Sequence, residues 1–290
     1  MKAKATSYGA ATIVNAIAIG KGAAFGVKLW TKAEVKLTNN PGEVKGEITS
    51  DPFESTVLIE KTVKKVLEHF KLANEFGAEV KTWSNIPIAR GLKSSSAAAN
   101  AISLATVAAL KMEVDDLKVV NLGVDGAIDA KVTITGAFDD ACASYFGGIV
   151  VTDNFKRKIV KRCEAPENLT VLFHIPHVKA YTSKVNVQKT EVIAPIIKIA
   201  YKEAIKGNFW QALTLNGLIY SSALGYNPAI TIDALTAGAI AAGLCGKGPA
   251  VTAVVTEEKV DQVKEALMSY EGEIIATRIN NEKARVESYG

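Results

Sequence analysis

The chain has 290 residues, 48% of them hydrophobic and 22% charged, which is enough for one large or two ordinary domains with a sizeable core. Its net charge of +4 suits an anionic small ligand. The absence of a Lys/Arg-dense stripe with interleaved aromatic residues argues against nucleic acid as a partner. No apolar run reaches the roughly 18–20 residues that span a bilayer, so we expect no membrane partner.

The cysteines indicate a reducing compartment. Cys142, Cys163 and Cys245 are far apart, odd in number and form no CxxC pair. This pattern predicts free thiols in a cytoplasmic protein rather than a disulfide framework or a zinc site.

The first half of the chain predicts strands that give way to helices. Alternating apolar residues indicate strands, and apolar residues at helical spacing indicate helices. The predicted elements are strands over 11–19 and 27–38, a helix over 55–70, a strand over 77–87, helices over 95–111 and 115–131, and a strand over 149–154.

The second half mixes helices and strands without a strict βαβ repeat. The predicted elements are a strand over 169–176, helices over 192–207, 210–224 and 230–243, a strand over 250–256, a helix over 260–270 and a strand over 273–280. The order predicts an α+β fold with two lobes. We expect one lobe over residues 1–155 and the other over 156–290.

The stretch "PIARGLKSSSAAANA" (87–101) supplies the parts of a phosphate site. Gly91 lets the backbone turn, Lys93 adds charge, and Ser94 to Ser96 place three hydroxyls at the start of an alanine-rich helix, where backbone N–H groups and the helix dipole attract anions. The alternative is a helix with more capping residues than it needs. A Walker A loop is excluded, because Gly246-Lys247 is followed by glycine rather than Ser or Thr.

Two further stretches carry candidate chemistry. "GLCGKGPAVTAVV" (243–255) predicts a glycine-rich turn before a strand. "TGAFDDACASYFGG" (135–148) places Asp139 and Asp140 in a loop of small residues. A carboxylate there can accept the proton of an attacking hydroxyl, although the two residues could instead form an N-cap pair.

The pattern P-x-x-x-G-L-x-S-S-x-A resembles the second signature of the GHMP kinase superfamily (galactokinase, homoserine kinase, mevalonate kinase and phosphomevalonate kinase). Residues 243–255 resemble its third signature, and "YGAATIVNAIAIGKG" (8–22) resembles the first only loosely, because the usual proline is absent. The resemblance implies a two-lobed fold with a ribosomal-protein-like β/α lobe followed by a ferredoxin-like lobe. It also implies the use of ATP and magnesium.

The resemblance assigns roles to particular residues. In several superfamily kinases the catalytic aspartate lies seven residues before a glycine of a closing "GG", which selects Asp140, with Asp139 as competitor. An acidic magnesium ligand eleven residues earlier would be Asp129, with Ser95 as the second ligand; the alternative is that Asp129 pairs with Lys131 or solvent. The expected ATP-binding residues are Pro87, Ile88, Ala89, Arg90, Gly91, Leu92, Lys93, Ser94, Ser95, Ser96 and Ala97.

Within the superfamily, the three stretches together most resemble the archaeal-type shikimate kinases, because Lys93 and Ser96 stand where many relatives have glycine and alanine. This resemblance implies ATP-dependent phosphorylation of the shikimate 3-hydroxyl. The expected acceptor contacts are Lys21, Tyr181, Ser183, Gly246 and Gly248. The cation for the acceptor carboxylate stays open among Arg90, Lys179, Lys184 and Arg278.

Two alternatives to this interpretation stay open, and so does the oligomeric state. Homoserine kinases share the scaffold but bind a zwitterion. A ligand-sensing regulator on the same fold would not need the paired aspartates.

Overall fold

The structure is a computed structural model that describes residues 1–133, 135–177 and 187–290. Within these ranges the first sheet has seven strands. They are β1 (Lys2–Val14), β2 (Lys21–Thr38), β3 (Val44–Ile48), β4 (Gly77–Ser84), β5 (Ile149–Asp153), β6 (Lys158–Cys163) and β11 (Arg285–Tyr289). The strand order is β11-β1-β2-β4-β3, and β5 joins β2 to β6. Only the β3–β4 pair among these is parallel.

The second sheet has four antiparallel strands in the order β10-β7-β9-β8. They are β7 (Leu169–Ile175), β8 (Ala241–Leu244), β9 (Val251–Thr256) and β10 (Glu273–Arg278). The helices of the described ranges are α1 (Val57–His69), α2 (Ser94–Ala109), α3 (Asp116–Asp129), α4 (Phe138–Phe146), α5 (Val187–Val192), α6 (Ala194–Lys206), α7 (Phe209–Leu224), α8 (Ala229–Thr236) and α9 (Val260–Met268). None of these helices is long and apolar enough to cross a membrane.

One apolar core joins the two sheets. It contains Phe25 and Val27 of β2 together with Val171 and Phe173 of β7, all fully buried. Phe25 also meets Trp210 of α7 edge to face, with ring centroids 5.5 Å apart. Burying one such phenyl side chain contributes about 2–3 kcal/mol, so this shared core holds the sheets in a fixed relation.

The alanine-rich helix α2 packs on β1 and β2. Small residues such as Ala97, Ala101 and Ala105 are fully buried and let the helix axis approach the sheet closely. Three consecutive residues of the N-terminal turn, Ser94 to Ser96, are partly exposed, whereas most of the rest of the helix is buried. The alanines that favour helix formation therefore also allow α2 to pack closely on the sheet, and this packing determines the position of its partly exposed N-terminus.

The two-lobed α+β architecture predicted from the sequence is confirmed, with differences in individual elements. The helix predicted over 230–243 ends at Thr236, and Ala241–Leu244 instead forms β8 because it pairs with β9. The predicted boundary after residue 155 lies inside the β5–β6 hairpin, and the C-terminal β11 returns to pair with β1. Apart from β11, the strands up to β6 belong to the first sheet and β7 to β10 to the second, and the division after residue 155 stays a prediction.

Candidate active site

The N-terminus of α2 opens onto a cavity. Its N-cap residue, Lys93, has a left-handed backbone (φ 65°) and makes no side-chain capping hydrogen bond. The N–H of Ala97 donates a hydrogen bond to the Lys93 carbonyl at 3.1 Å. The N–H groups of the three serines lie before this bond, in the first turn, where backbone N–H groups have no acceptor within the helix. Ser94, Ser95 and Ser96 all line the cavity. A helix N-terminus of this kind attracts an anion.

The two glycine-containing loops pack against each other beside this helix start. Gly91 has a φ of +93°, and a Cβ added there would lie 2.7 Å from the carbonyl oxygen of Cys245. The Cys245 thiol donates to the Gly91 carbonyl at 3.1 Å, and the N–H of Ala250 donates to the Arg90 carbonyl at 3.2 Å. Glycine is required at position 91 because the backbones approach this closely.

The cavity has a volume of about 360 Å³, which lies in the range of small-molecule sites. One end, here called the outer end, is formed by the start of α1 and the neighbouring strands, and its lining includes Ile48, Leu58 and Thr82. The opposite end is charged and is here called the inner end. Its lining residues are Thr12, Asn15, Lys93, Asp139, Asp140, Gly246 and Lys247.

Asp139 and Asp140 lie in the first turn of α4, where the helix dipole favours negative charge. They are 3% and 7% exposed. The sequence predicts a loop here, and its alternative was an N-cap pair. The structure contradicts both, because the N-cap residue is Ala137, reached through a turn with positive φ at Gly136 and Ala137.

A buried ion pair occupies the inner end. The Lys93 Nζ lies 3.0 Å from Asp140 Oδ2, and each side chain is only 10% exposed. Burial lowers the pKa of Lys93, but the negative charges of Asp140 and of neighbouring groups outweigh it, so the net pKa is raised. The other oxygen, Oδ1 of Asp140, is buried and has no hydrogen-bond partner among the described residues. Such an atom is unusual in a folded protein and is available to a ligand hydroxyl.

Asp139 differs from its neighbour in its environment. Its Oδ1 accepts a hydrogen bond from Asn154 Nδ2 at 2.8 Å. Burial, followed by the charge of Asp140, raises its pKa to about 7, against the opposing effect of Lys93. A Cβ at Gly22 would lie 2.2 Å from Asp139 Oδ2. Protein groups therefore already surround both oxygens of Asp139.

Comparison with known proteins finds relatives of this chain. Residues 58–148 match the family model described as GHMP kinases N terminal domain. A shikimate kinase from Methanosarcina mazei is 45% identical over 286 residues, which are 98% of this chain and 96% of the relative. A shikimate kinase from Pyrococcus abyssi is 45% identical over 282 residues, which are 96% of this chain and 100% of the relative. The chain belongs to the GHMP kinase family.

Solved structures of other GHMP kinases share its fold. A mevalonate kinase superposes with a TM-score of 0.73 at 18% identity and covers 97% of this chain and 100% of its own. The homoserine kinase of Cytophaga hutchinsonii gives 0.72 at 16% identity and covers 98% of this chain and 97% of its own. The two-lobed GHMP fold predicted from the sequence is confirmed. The protein is an ATP-dependent small-molecule kinase.

In this GHMP kinase many of the predicted ligand-binding residues come together. The predicted residues that line the cavity are Ile88, Ala89, Gly91, Lys93, Ser94, Ser95, Ser96, Asp140 and Gly246. Leu92 and Ala97 are buried in the core beside it, and Pro87 lies in the preceding turn. Tyr181 and Ser183, with Lys179 and Lys184, lie outside the described residues.

Four further predicted residues make contacts elsewhere and are not brought into the cavity lining. The Arg90 guanidinium donates to the carbonyl of Pro176, and Gly248 packs against the ring of Tyr226. Lys21 lies 3.7 Å from Asp153 Oδ2, near the ring of Tyr201. Arg278 pairs with Glu257 on the surface of β10.

Asp129, expected to bind magnesium, also lies outside the cavity lining. Its carboxylate pairs with Lys65 of α1 at 2.7 Å. This hydrogen bond raises the pKa of Lys65 despite partial burial. The partner differs from the Lys131 of the alternative interpretation, because α3 packs along α1 and turns its last residues towards that helix. We therefore leave Asp129 out of the site.

Sequence reasoning missed Lys247. It lines the inner end of the cavity from the second glycine loop. Burial, together with the positive charge of Lys93, lowers its pKa to about 8, opposed by Asp140. The available signal was a lysine between two glycines of a ligand-binding turn.

Proposed function

We propose that this GHMP kinase is a shikimate kinase that transfers the γ-phosphoryl group of ATP to the 3-hydroxyl of shikimate. Relatives from Methanosarcina mazei and Pyrococcus abyssi that carry this name are 45% identical over nearly their full length. The observation in the site that carries the proposal is the buried Lys93–Asp140 pair beside the start of α2. It puts a carboxylate and a cation where a phosphoryl group and a hydroxyl would meet.

The start of α2 supports the binding of the ATP phosphates. The N–H groups of Ser94 to Ser96 and the positive end of the helix dipole favour phosphate oxygens. The outer end of the cavity, lined by Ile48 and Leu58, offers apolar surface for the base. Phosphoryl transfer depends mainly on such positioning and on charge neutralisation.

Asp140 is the proposed proton acceptor. Its unpaired Oδ1 can accept a hydrogen bond from the attacking hydroxyl and then take the proton as the new P–O bond forms and the bond between the γ-phosphorus and ADP breaks. Lys93 stays within 3.0 Å of Oδ2 and opposes the negative charge that builds up on the phosphoryl oxygens. Asp139 supports α4 geometry through Asn154 and adds to the local negative potential.

Magnesium fits the same cavity. Among the described residues there is no group of three His, Cys, Asp or Glu side chains that could cage a metal. Magnesium in kinases does not need such a cage, because phosphate oxygens and water supply most of its ligands. The Ser95 hydroxyl would hold the ion together with the phosphates. When bound, the ion neutralises phosphate charge and orients the γ-phosphoryl group.

The state of the cysteines supports a cytoplasmic location. Cys142, Cys163 and Cys245 are free thiols, which supports a reducing, cytoplasmic location.

A coupled assay of ADP formation tests the proposed reaction. The purified chain is supplied with MgATP and, separately, with shikimate, homoserine, mevalonate or galactose. We expect turnover with shikimate at least a hundredfold above that with any other acceptor. Preferred turnover of another acceptor would refute the substrate, and no turnover with any acceptor would support the ligand-sensing alternative.

A further inference from the structure

We propose that Asn216 and Tyr220 of α7 are positioning residues for the acceptor. Their polar atoms hold the backbone of residues 15–20, here called the β1–β2 loop, which forms a wall of the cavity near Asp140. Neither side chain belongs to the described cavity lining, so each acts through the loop that it holds. This inference rests on the proposed function and adds the residues that determine where the acceptor hydroxyl meets its proton acceptor.

The β1–β2 loop supplies part of the cavity wall. Asn15, Ala16 and Ile17 line the cavity, and Asn15 lies with Asp140 at the inner end. Within the loop, the N–H of Ile17 donates to Asn15 Oδ1 at 2.9 Å, and the N–H of Gly20 donates to the Ala16 carbonyl at 2.8 Å. A connection that lines a site also needs contacts from the surrounding scaffold to keep one conformation.

Asn216 supplies one of these contacts. It is fully buried in α7, and its Oδ1 accepts a hydrogen bond from the Asn15 N–H at 2.9 Å. Its Nδ2 is buried as well and has no hydrogen-bond partner among the described residues. A buried donor without a partner lowers stability, and an apolar side chain would avoid that cost. The contribution specific to asparagine here is therefore the oxygen that holds the loop.

Tyr220 bridges two backbone groups of the same loop. Its hydroxyl accepts a hydrogen bond from the Ala18 N–H at 3.0 Å and donates one to the Asn15 carbonyl at 3.3 Å. Burial raises the pKa of Tyr220, so the hydroxyl stays protonated at neutral pH and can make both bonds. Residues four apart share one face of a helix. Asn216 and Tyr220 thus hold both backbone groups of Asn15 from one face of α7.

Other contacts hold α7 itself in place. Gly217 lies between the two positioning residues, and a Cβ there would lie 2.2 Å from the Cα of Gly243 in β8, so the helix and the strand approach very closely. The ring of Trp210, near the start of α7, packs edge to face on Phe25. Loss of the Tyr220 hydroxyl should therefore loosen the β1–β2 loop and leave the helix where it is.

A loosened loop should affect the acceptor and ATP differently. Asn15 and Asp140 share the inner end of the cavity, whereas the proposed phosphate site is the start of α2 and the proposed base site is the outer end. A small misplacement of a reacting group lowers the rate steeply, because the attacking hydroxyl must be aligned with the phosphorus. We therefore expect weaker acceptor binding and slower transfer, with little change in ATP binding.

Two tyrosine variants give a matched comparison. Tyr220→Phe removes the bridging hydroxyl and keeps the ring. The control, Tyr145→Phe, removes the hydroxyl of another buried tyrosine, which donates to Asp116 Oδ1 at 2.8 Å. For Tyr220→Phe we expect kcat/KM for shikimate to fall about 10- to 100-fold, while the KM for ATP changes less than threefold. Tyr145→Phe should lower the melting temperature and keep native kinetics.

Two asparagine variants and hydrogen exchange test the same contacts. Asn216→Leu removes the acceptor oxygen at similar volume and should reduce kcat/KM for shikimate as Tyr220→Phe does. Asn216→Asp keeps an acceptor oxygen, and because burial favours the neutral carboxyl, it should recover most of this loss. Hydrogen exchange over residues 15–20 should be faster than native in Tyr220→Phe and native in Tyr145→Phe. If Asn216→Leu does not fold, Tyr220→Phe alone decides.

The outcomes separate this inference from the proposed function. Native kcat/KM for shikimate in Tyr220→Phe would overturn the positioning role and leave the proposed function intact, whatever the melting temperature. Equal increases in the KM for shikimate and for ATP would overturn it too, because they indicate a general loosening of the site. A native chain inactive on shikimate would overturn both.

Discussion

Replacing Asp140 with asparagine separates its charge from its shape. The amide keeps the size of the side chain and some of its hydrogen bonding, but it cannot accept the proton of the attacking hydroxyl. Loss of a general base costs about a hundred- to ten-thousandfold in rate. We expect kcat to fall by that factor, while shikimate binding measured by calorimetry changes little.

The same substitution also removes the partner of a buried lysine. At the observed 3.0 Å, the Coulomb attraction is about 5 kcal/mol in an effective dielectric of 20. Breaking a buried pair by removing one partner typically costs about 3–5 kcal/mol of unfolding free energy. Asp140→Asn should therefore be both inactive and clearly less stable, and a loss of folded protein must be separated from a loss of chemistry.

A second variant makes that separation. Lys93→Met combined with Asp140→Asn removes both charges, so unfolding free energy measured in urea should recover substantially relative to Asp140→Asn alone. Its kcat should stay at least a hundredfold below native. A near-native kcat in the variant that carries Asp140→Asn alone would refute Asp140 as the base. A double variant no more stable than the single one would refute the ion pair as the source of the stability loss.

Three other perturbations test the neighbouring residues. The pKa of Asp139 is raised to about 7 by burial, so this carboxyl costs the native state no stability below about pH 4 and destabilises it progressively as the pH rises through 7. Urea titrations should thus show Asp139→Asn gaining stability over the native chain from pH 5 to 8, and a pH-independent difference would contradict this. Ser95→Ala should lower kcat/KM about 10- to 100-fold at limiting magnesium, and native kinetics there would exclude the ligand role. Gly91→Ala should raise the KM for ATP and lower the melting temperature more than Gly42→Ala, because a Cβ meets Cys245 only at position 91; equal losses would show that only backbone strain matters.

The local parts of the site could be predicted from the sequence. Glycine, lysine and serines before an alanine run indicate a helix start that binds phosphate, and α2 begins at Ser94. The spacing argument selected Asp140, and the structure pairs that residue with Lys93. The predicted helix start is confirmed because helix initiation depends on residues that are neighbours in the chain, whereas the roles of the serines and of Asp140 stay predictions.

The non-local parts could not be predicted. Asp129 has the expected offset from Asp140, but an offset along the chain does not determine which way a helix faces, and the packing of α3 on α1 brings Asp129 to Lys65. The sequence over 230–243 has helical character, and β8 forms there because a β9 partner exists. Lys247 was missed for the same reason, since its neighbours Lys93 and Asp140 are distant in sequence.

The most direct test of the central claim is ³¹P NMR of the reaction products. Native chain, MgATP and shikimate should give ADP and a new phosphomonoester signal in equal amounts, coupled to the proton at carbon 3 of the ring. The same mixture with Asp140→Asn should show neither within the same time. ADP with inorganic phosphate in place of the ester, or an ester formed equally fast by Asp140→Asn, would contradict the account.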